Sequence, residues 1–347
     1  MDALSDVLRA VRLSGAVFFD VSASAPWVAE SPAGDAIVSR VFPAADHLMS
    51  YHVVTQGSCW GGLIDAPPVQ LLAGDIIVFP HGDPHVLSSK PGMRGAPEMG
   101  LYQPPGRAGR LPFTLTMGVA RPDAAQIVCG FLGCDTRPFN PLLSALPRVI
   151  HQRARAEGPL AQFVQLAVSE SRHPRVGGEV VLGRLSELLF VDVVRHYLET
   201  LPDDRTDWLA GLRDPHVGRA LAALHGDPAR QWTLDALARE AGLSRSALAE
   251  RFTSYAGHPP MQYLATWRMQ IAAHLLLSGG ESVASLASKV GYESEAAFSR
   301  AFKKIVGVPP GEWRRHKIAG SPASAGAATT RPAAAEAARR TRRTATA

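Results

Sequence analysis

Ser282-Val-Ala-Ser-Leu-Ala-Ser-Lys-Val-Gly-Tyr292 leads directly into Glu293-Ser-Glu-Ala-Ala-Phe-Ser-Arg-Ala-Phe-Lys-Lys-Ile-Val-Gly307. The pair repeats a pattern met earlier in the chain. Thr233-Leu-Asp-Ala-Leu-Ala-Arg-Glu-Ala-Gly242 opens on an N-capping threonine and places Leu234, Leu237 and Ala238 on one helical face. Gly242 ends it as a left-handed C-cap. Ser244 then starts a second helix with Leu248 and Phe252 four residues apart, closed by Gly257. Gly291 takes the place of Gly242, 49 residues on, and Phe298 and Phe302 take those of Leu248 and Phe252. A short helix, a glycine turn and a second helix form a helix-turn-helix, so residues 233–307 predict two of them. Between them, Pro259 to Leu277 carries Tyr263, Leu264, Trp267, Ile271 and Leu275 at helical spacing behind two prolines, the pattern of one long helix. Nineteen residues of helix span about 28 Å. Successive major-groove faces lie about 34 Å apart, so such a rod can seat two recognition helices on one side of a duplex.

Working outward, the 347 residues suggest two domains, and 46% hydrophobic content excludes a wholly disordered chain. No run of about 18 apolar residues predicts a membrane span. The start, Met1-Asp-Ala-Leu-Ser-Asp6, lacks the basic-then-apolar order of a signal peptide. Three cysteines (Cys59, Cys129, Cys134) are too few and odd in number for a disulfide framework, which favours a cytoplasmic location. The net charge of +5 is unevenly spread. Residues 1–206 carry 17 basic and 20 acidic side chains, residues 207–317 carry 14 and 10, and residues 318–347 hold five arginines against Glu336. An acidic front joined to a basic back hints at a polyanionic partner for the back.

Residues 35–135 are rich in Gly and Pro around short β-branched runs: Ala36–Phe42, Ser50–Val54, Val69–Leu72, Asp75–Phe79 and Ala125–Cys129. These predict the strands of a sandwich or barrel, with 88–118 as a long surface loop. Helical spacing resumes at about 159, residues 201–213 read as a linker, and the Ala/Arg-rich segment 318–347 has no apolar period and is expected to be disordered. The expected fold class is therefore α+β and multidomain, a β-barrel over 1–200 and an all-α unit over 214–317.

Gly291 to Arg315, with its Pro309-Pro310 and Trp313-Arg314 ending, resembles the signature of the AraC/XylS family of bacterial transcription regulators, and the resemblance covers 214–317. It implies a seven-helix DNA-binding domain with two recognition helices. By position it makes Arg245, Ser246, Ala249 and Glu250 base-facing in the first, and Glu295, Ala296, Ser299 and Arg300 in the second. Arg300 can read guanine bidentately or touch phosphate. Lys303 and Lys304 suit phosphates, which position without specifying. Glu250 repels phosphate and can at best accept from cytosine N4. Promoter DNA is the implied partner, with RNA polymerase a further one.

Gly74-Asp-Ile-Ile-Val-Phe-Pro-His-Gly-Asp-Pro-His85 resembles the second cupin motif, with Ser89 where that motif has Asn. Together with Val128 to Pro147 it resembles the cupin-type sensor domain of one branch of the same regulators. His81, His85, Cys129 and Cys134 then fall in one domain. If they converged they would make a zinc-like tetrahedral set or a redox centre, whereas strand alternation and simple packing argue the other way. His47 and His52 lack the spacing of the remaining cupin ligands. The predicted function is a sequence-specific transcription regulator, not an enzyme, answering a small-molecule, metal or redox effector. A metal-dependent cupin enzyme carrying a DNA-binding module is the alternative. The stripe Leu182, Leu185, Leu189, Val193 and His196 is expected as a homodimer seam or as a face packed on the barrel.

Overall fold

The computed structural model describes residues 2–102, 111–119, 121–122, 124–154, 159–173 and 175–319. The N-terminal half runs α1 (Ala3–Ala10), β1 (Ser14–Ala23), β2 (Val28–Ser31), α2 (Gly34–Val41), β3 (His47–Gln56), β4 (Ser58–Leu63), β5 (Val69–Leu72), β6 (Ile76–Phe79), β7 (His85–Ser88), β8 (Phe113–Met117), β9 (Ala125–Cys134), α3 (Pro141–Ala145), β10 (Ile150–Gln152), α4 (Pro159–Arg172) and α5 (Gly178–Glu199). Six strands form one sheet in the order β10-β6-β3-β9-β1-β8, and β2-β7-β4-β5 form the other.

Alternation along the strands sorts side chains between two cores. On β3, Leu48 and Val54 turn inward, between the sheets, with Phe18, Ile77, Phe79, Ile127 and Phe131. Met49, Tyr51 and Val53 turn outward and meet helix α5 through Leu182, Leu185, Leu189 and Val193. Burying each of these large side chains contributes roughly 1.5–3 kcal/mol. Helix α5 lies very close to the sheet. A Cβ on Gly15 would stand 2.6 Å from Ser186 Cβ and 2.7 Å from the Gly183 carbonyl, so only glycine lets strand and helix approach this far. The Tyr51 hydroxyl reaches Ser186 Oγ at 2.6 Å across the same contact.

The structure changes several expectations for this half. Residues 36–42 belong to helix α2 and its C-cap, not to a strand. Ile37 and Val41 are buried, while Ser39, which a strand would have buried with them, is exposed. The presumed loop 88–118 contains β8, which pairs in parallel with β1 from Phe19↔Phe113 to Ala23↔Met117. Of the two readings of the stripe through Leu182, Leu185, Leu189 and Val193, the structure shows the face packed on the sheet and not the dimer seam.

The C-terminal half is helical: α6 (Trp208–Arg213), α7 (Val217–Gly226), α8 (Leu234–Ala241), α9 (Arg245–Ala256), α10 (Pro260–Ser278), α11 (Val283–Lys289), α12 (Glu295–Val306) and α13 (Pro310–Ala319). Helices α7 to α13 fill the range for which seven were implied. Helix α6 lies in the stretch read as a linker. Asp207 caps it, and the Trp208 indole donates to the Tyr263 hydroxyl at 2.8 Å, which anchors it to α10. The tail expected to be disordered lies, beyond α13, outside the described residues.

Candidate nucleic-acid interface

Each helix-turn-helix unit is built by local rules. Thr233 Oγ1 accepts from Ala236 N–H, Ser244 Oγ from Ala247, Ser282 Oγ from Ser285, and Ser294 Oγ from Ala297. These are the four N-caps that start α8, α9, α11 and α12. Gly242 (φ 71°) and Gly291 (φ 83°) make the turns in the left-handed region. Between turn glycine and N-cap stands one residue in the first unit, Leu243, but two in the second, Tyr292 and Glu293. Gly291 is also required sterically, because a Cβ there would lie 2.4 Å from the Ala229 carbonyl oxygen. Gln231 Nε2 donates to the Gly291 carbonyl at 2.8 Å, and Arg268 donates to the carbonyls of Pro228 and Arg230, so the loop 227–232 of the first unit braces the turn of the second.

Helices α9 and α12, the two expected to be recognition helices, each bury one face and expose the other. Leu248 and Phe252 are fully buried under α9, and Phe298 and Phe302 under α12. Arg245, Ser246 and Glu250 are exposed on α9, with Ala249 half-buried. On α12, Glu295, Ala296, Arg300, Lys303 and Lys304 are exposed and Ser299 is half-buried. The two faces differ electrostatically. Arg245 pairs with Asp235 at 3.2 Å. Arg251, the other cation of α9, donates from Nε and Nη2 to the buried Asp214 carboxylate, which is held below its ordinary range by Arg251 and by the backbone N–H groups of His216 and Val217, against the opposing effect of burial. On α12, Arg300, Lys303 and Lys304 project together, and the Glu295 carboxylate sits at the helix N-terminus, where the dipole favours it.

The cupin-like barrel does not assemble the four-residue set expected from sequence. Cys129 and Cys134 lie five apart on β9, so alternation sends Cys129 between the sheets and Cys134 to the helical side. His81 is exposed and bonds the Leu146 carbonyl at 2.9 Å. Among the described residues no three of His, Cys, Asp and Glu are placed to hold a metal ion, so these residues do not fit zinc. Burial pushes the Cys59 and Cys134 thiols up to about 12 and Cys129 higher still, which leaves almost no thiolate.

His85 is fully buried, stacked on Phe79 with ring centroids 3.8 Å apart, and its Nε2 lies 2.7 Å from His52 Nε2. The tautomers follow from the partners. His85 Nδ1–H donates to the Asp83 carbonyl at 2.8 Å, so its Nε2 accepts from His52 Nε2–H. His52 Nδ1 is then a buried lone pair with no partner. Desolvation holds both imidazoles neutral, with His52 well below its ordinary pKa. Motif spacing set His52 aside, but strand parity places it: Leu48, His52 and Val54 share the inward face of β3, opposite Cys129 on β9.

Both halves of the chain are similar to known proteins. A family model described as a cupin matches residues 2–199, and one described as a helix-turn-helix domain matches residues 237–316. A putative AraC-like transcription regulator of Streptomyces lividans is 34% identical over 91% of this chain and 99% of its own length. The transcriptional regulator AlkR of Acinetobacter baylyi is 28% identical over 91% of this chain and 99% of its own. Among solved structures, the DNA-binding domain of AdpA in complex with a target DNA is 31% identical and covers 31% of this chain and 97% of that one, with a TM-score of 0.30. With a cupin domain ahead of two helix-turn-helix units, the chain belongs to the AraC-like transcription regulators.

Proposed function

We propose that the protein binds promoter DNA as a homodimer in the cytoplasm, that α12 carries most of its base readout, and that the cupin-like barrel receives the controlling signal. The observation that carries the reading is the difference between the two recognition faces. Arg300 on α12 is exposed and has no acid paired with it among the described ion pairs, whereas Arg245 and Arg251 on α9 are each tied to an aspartate. Lys303 and Lys304 extend the α12 face toward phosphates, while Ser246, Ala249, Glu295, Ala296 and Ser299 offer short contacts to base edges. Glu250 keeps α9 away from close phosphate approach. Selecting duplexes from a random pool with the full chain tests the assignment. Arg300→Ala is expected to cost about 1–3 kcal/mol and to relax one base position of the selected site. A uniform loss across all sequences would reduce Arg300 to a phosphate contact.

The dimer uses the outer face of α5, opposite the stripe that the sheet covers. Val180, Val181 and Leu188 are exposed there at 67%, 39% and 47%, with Arg184 and Glu187 between them. Arg184 and Glu187 pair with each other at 2.8 Å, so an isologous contact with a second copy of this chain covers the apolar strip without stranding either charge. Leu188→Glu is expected to convert the dimer to monomer in sedimentation equilibrium without lowering the melting temperature. A wild-type monomer, or a variant that still dimerises, removes this face.

A regulatory role without catalysis accounts for the barrel: its two buried histidines bond each other, and its relatives are named as regulators. The effector and RNA polymerase are partners of this reading, bound outside the recognition faces.

A further inference from the structure

Helix α10 crosses from one apolar core to another. Tyr263, Leu264 and Trp267 belong to a core that is continuous with the N-terminal domain and the first reading unit, from Val7 on α1 through Leu237 and Phe252. Met269, Ala272, Ala273 and Leu276 belong to the separate core of the second unit, around Phe298, Phe302 and Trp313. Gln270 stands at the boundary and is 1% exposed. Its side chain is spent entirely on the N-terminal domain. Nε2 donates to the Ala10 carbonyl at 2.8 Å, and Oε1 accepts from Phe139 N–H at 2.9 Å. The Ala10 carbonyl is one of the orphan acceptors at the end of α1.

A second contact lies nearby. Lys317, at the far end of α13, donates to Asp46 Oδ1 at 2.5 Å and Asp135 Oδ1 at 3.2 Å. The buried Asp135 carboxylate also accepts two bonds from Arg12, at 2.6 and 2.9 Å. Arg12 sits at φ 50°, a conformation a non-glycine residue holds only under constraint. Asp135 directly follows β9, the strand whose Cys129 faces His52 inside the barrel. One continuous strand thus runs from the barrel interior to this seam.

We propose that the N-terminal domain acts on DNA reading through this polar seam, by holding the second unit at Gln270 and Lys317, and not by covering either recognition helix. Arg245, Ser246 and Glu250 on α9 and Glu295, Ala296 and Arg300 on α12 are exposed while the seam is closed, so closure sets the pose of the second unit relative to the first instead of blocking it. A change in the barrel that shifts the end of β9 breaks or strengthens the Asp135 contacts and so alters that pose. Coupling of this kind is reciprocal, so DNA that engages both units must in turn alter the seam.

Hydrogen exchange on the full chain tests it, with and without a duplex selected from a random pool by the same chain, binding being confirmed in the same sample. DNA is expected to change exchange at residues 10–14 and 133–140 by roughly fivefold or more. Gln270→Leu and, separately, Lys317→Met are each expected to abolish most of that change while the variant still binds DNA. Lys317 is on the last described helix and lies over the Trp313 ring at the edge of the second core, where an unbranched methionine keeps the apolar contact, so Lys317→Met keeps the test valid if Gln270→Leu fails to fold. Unchanged exchange in the wild-type complex, or a change that persists in Lys317→Met, overturns the proposal. Failure to select any sequence would instead count against the DNA-reading assignment itself.

Discussion

Phe298→Ala is expected to unfold the second helix-turn-helix unit while the rest of the chain stays folded. Phe298 is fully buried, with Phe302 at 5.6 Å and Tyr292 at 5.7 Å between ring centroids. Truncating a buried phenylalanine costs about 3–5 kcal/mol. The core it leaves is small, since it rests on the second half of α10 and three short helices, and a unit of that size has little stability to spare. The equivalent change in the first unit, at Phe252, strikes a core shared with the N-terminal domain and is spread over a larger cooperative structure. Hydrogen exchange should show α11–α13 losing protection alone in Phe298→Ala, with affinity falling to that of a single reading unit. A single cooperative transition, shifted as a whole, would show that the two cores do not unfold separately.

Stability should fall steadily as the pH drops below about 6.5. His225 is buried with its Nε2 on the Tyr263 hydroxyl at 2.8 Å, and desolvation lowers its pKa to about 3. Desolvation lowers His52 and His85 as well. The sign follows from linkage. Each folded pKa lies below the unfolded value of roughly 6.5, so between the two the unfolded chain binds the extra proton and gains the free energy. The histidine contribution is therefore intact above about pH 6.5 and is lost as pH falls toward the folded values. Each imidazole weakens folding by up to about 1.4 kcal/mol per pH unit, and the three together by up to about 4. Carboxylates held low by partners, such as Asp214, add their loss only below the ordinary carboxylate range. Urea midpoints at pH 7.5 and 5.0 measure the effect, and a flat profile over that interval would contradict the burial of these imidazoles.

The helical half was readable because its signals are local. Four capping hydroxyls, two turn glycines and the i, i+4 pairs Leu248/Phe252 and Phe298/Phe302 each decide a boundary or a face within a few residues. The β half was readable in class but not in detail. Val38 and Ile37 are β-branched, yet the exposed Ser39 between buried Ile37 and Val41 belongs to a helix, where packing overrides propensity. Strand β8 hides among Gly and Pro because its pairing with β1 is long-range. Parity, which a spacing motif ignores, parts Cys129 from Cys134 and explains why His52 was passed over, while His81 turns to the surface and bonds the Leu146 carbonyl. Gln270 gave no signal at all: a glutamine in a long helix looks solvent-facing until another domain supplies its two main-chain partners.

The extra residue in the second turn has a consequence for the operator. It falls ahead of the N-cap, so Ser244 and Ser294 stand the same four residues before Leu248 and Phe298, and both recognition helices present corresponding faces. What differs is where each helix begins. One residue of extended chain spans up to about 3.5 Å, and one base pair rises about 3.4 Å along the duplex. A side chain at a given helical position can thus be carried one base step along in the second unit. The site would then have unequal halves, a head and a tail, and a bound protomer would point along the promoter in one direction.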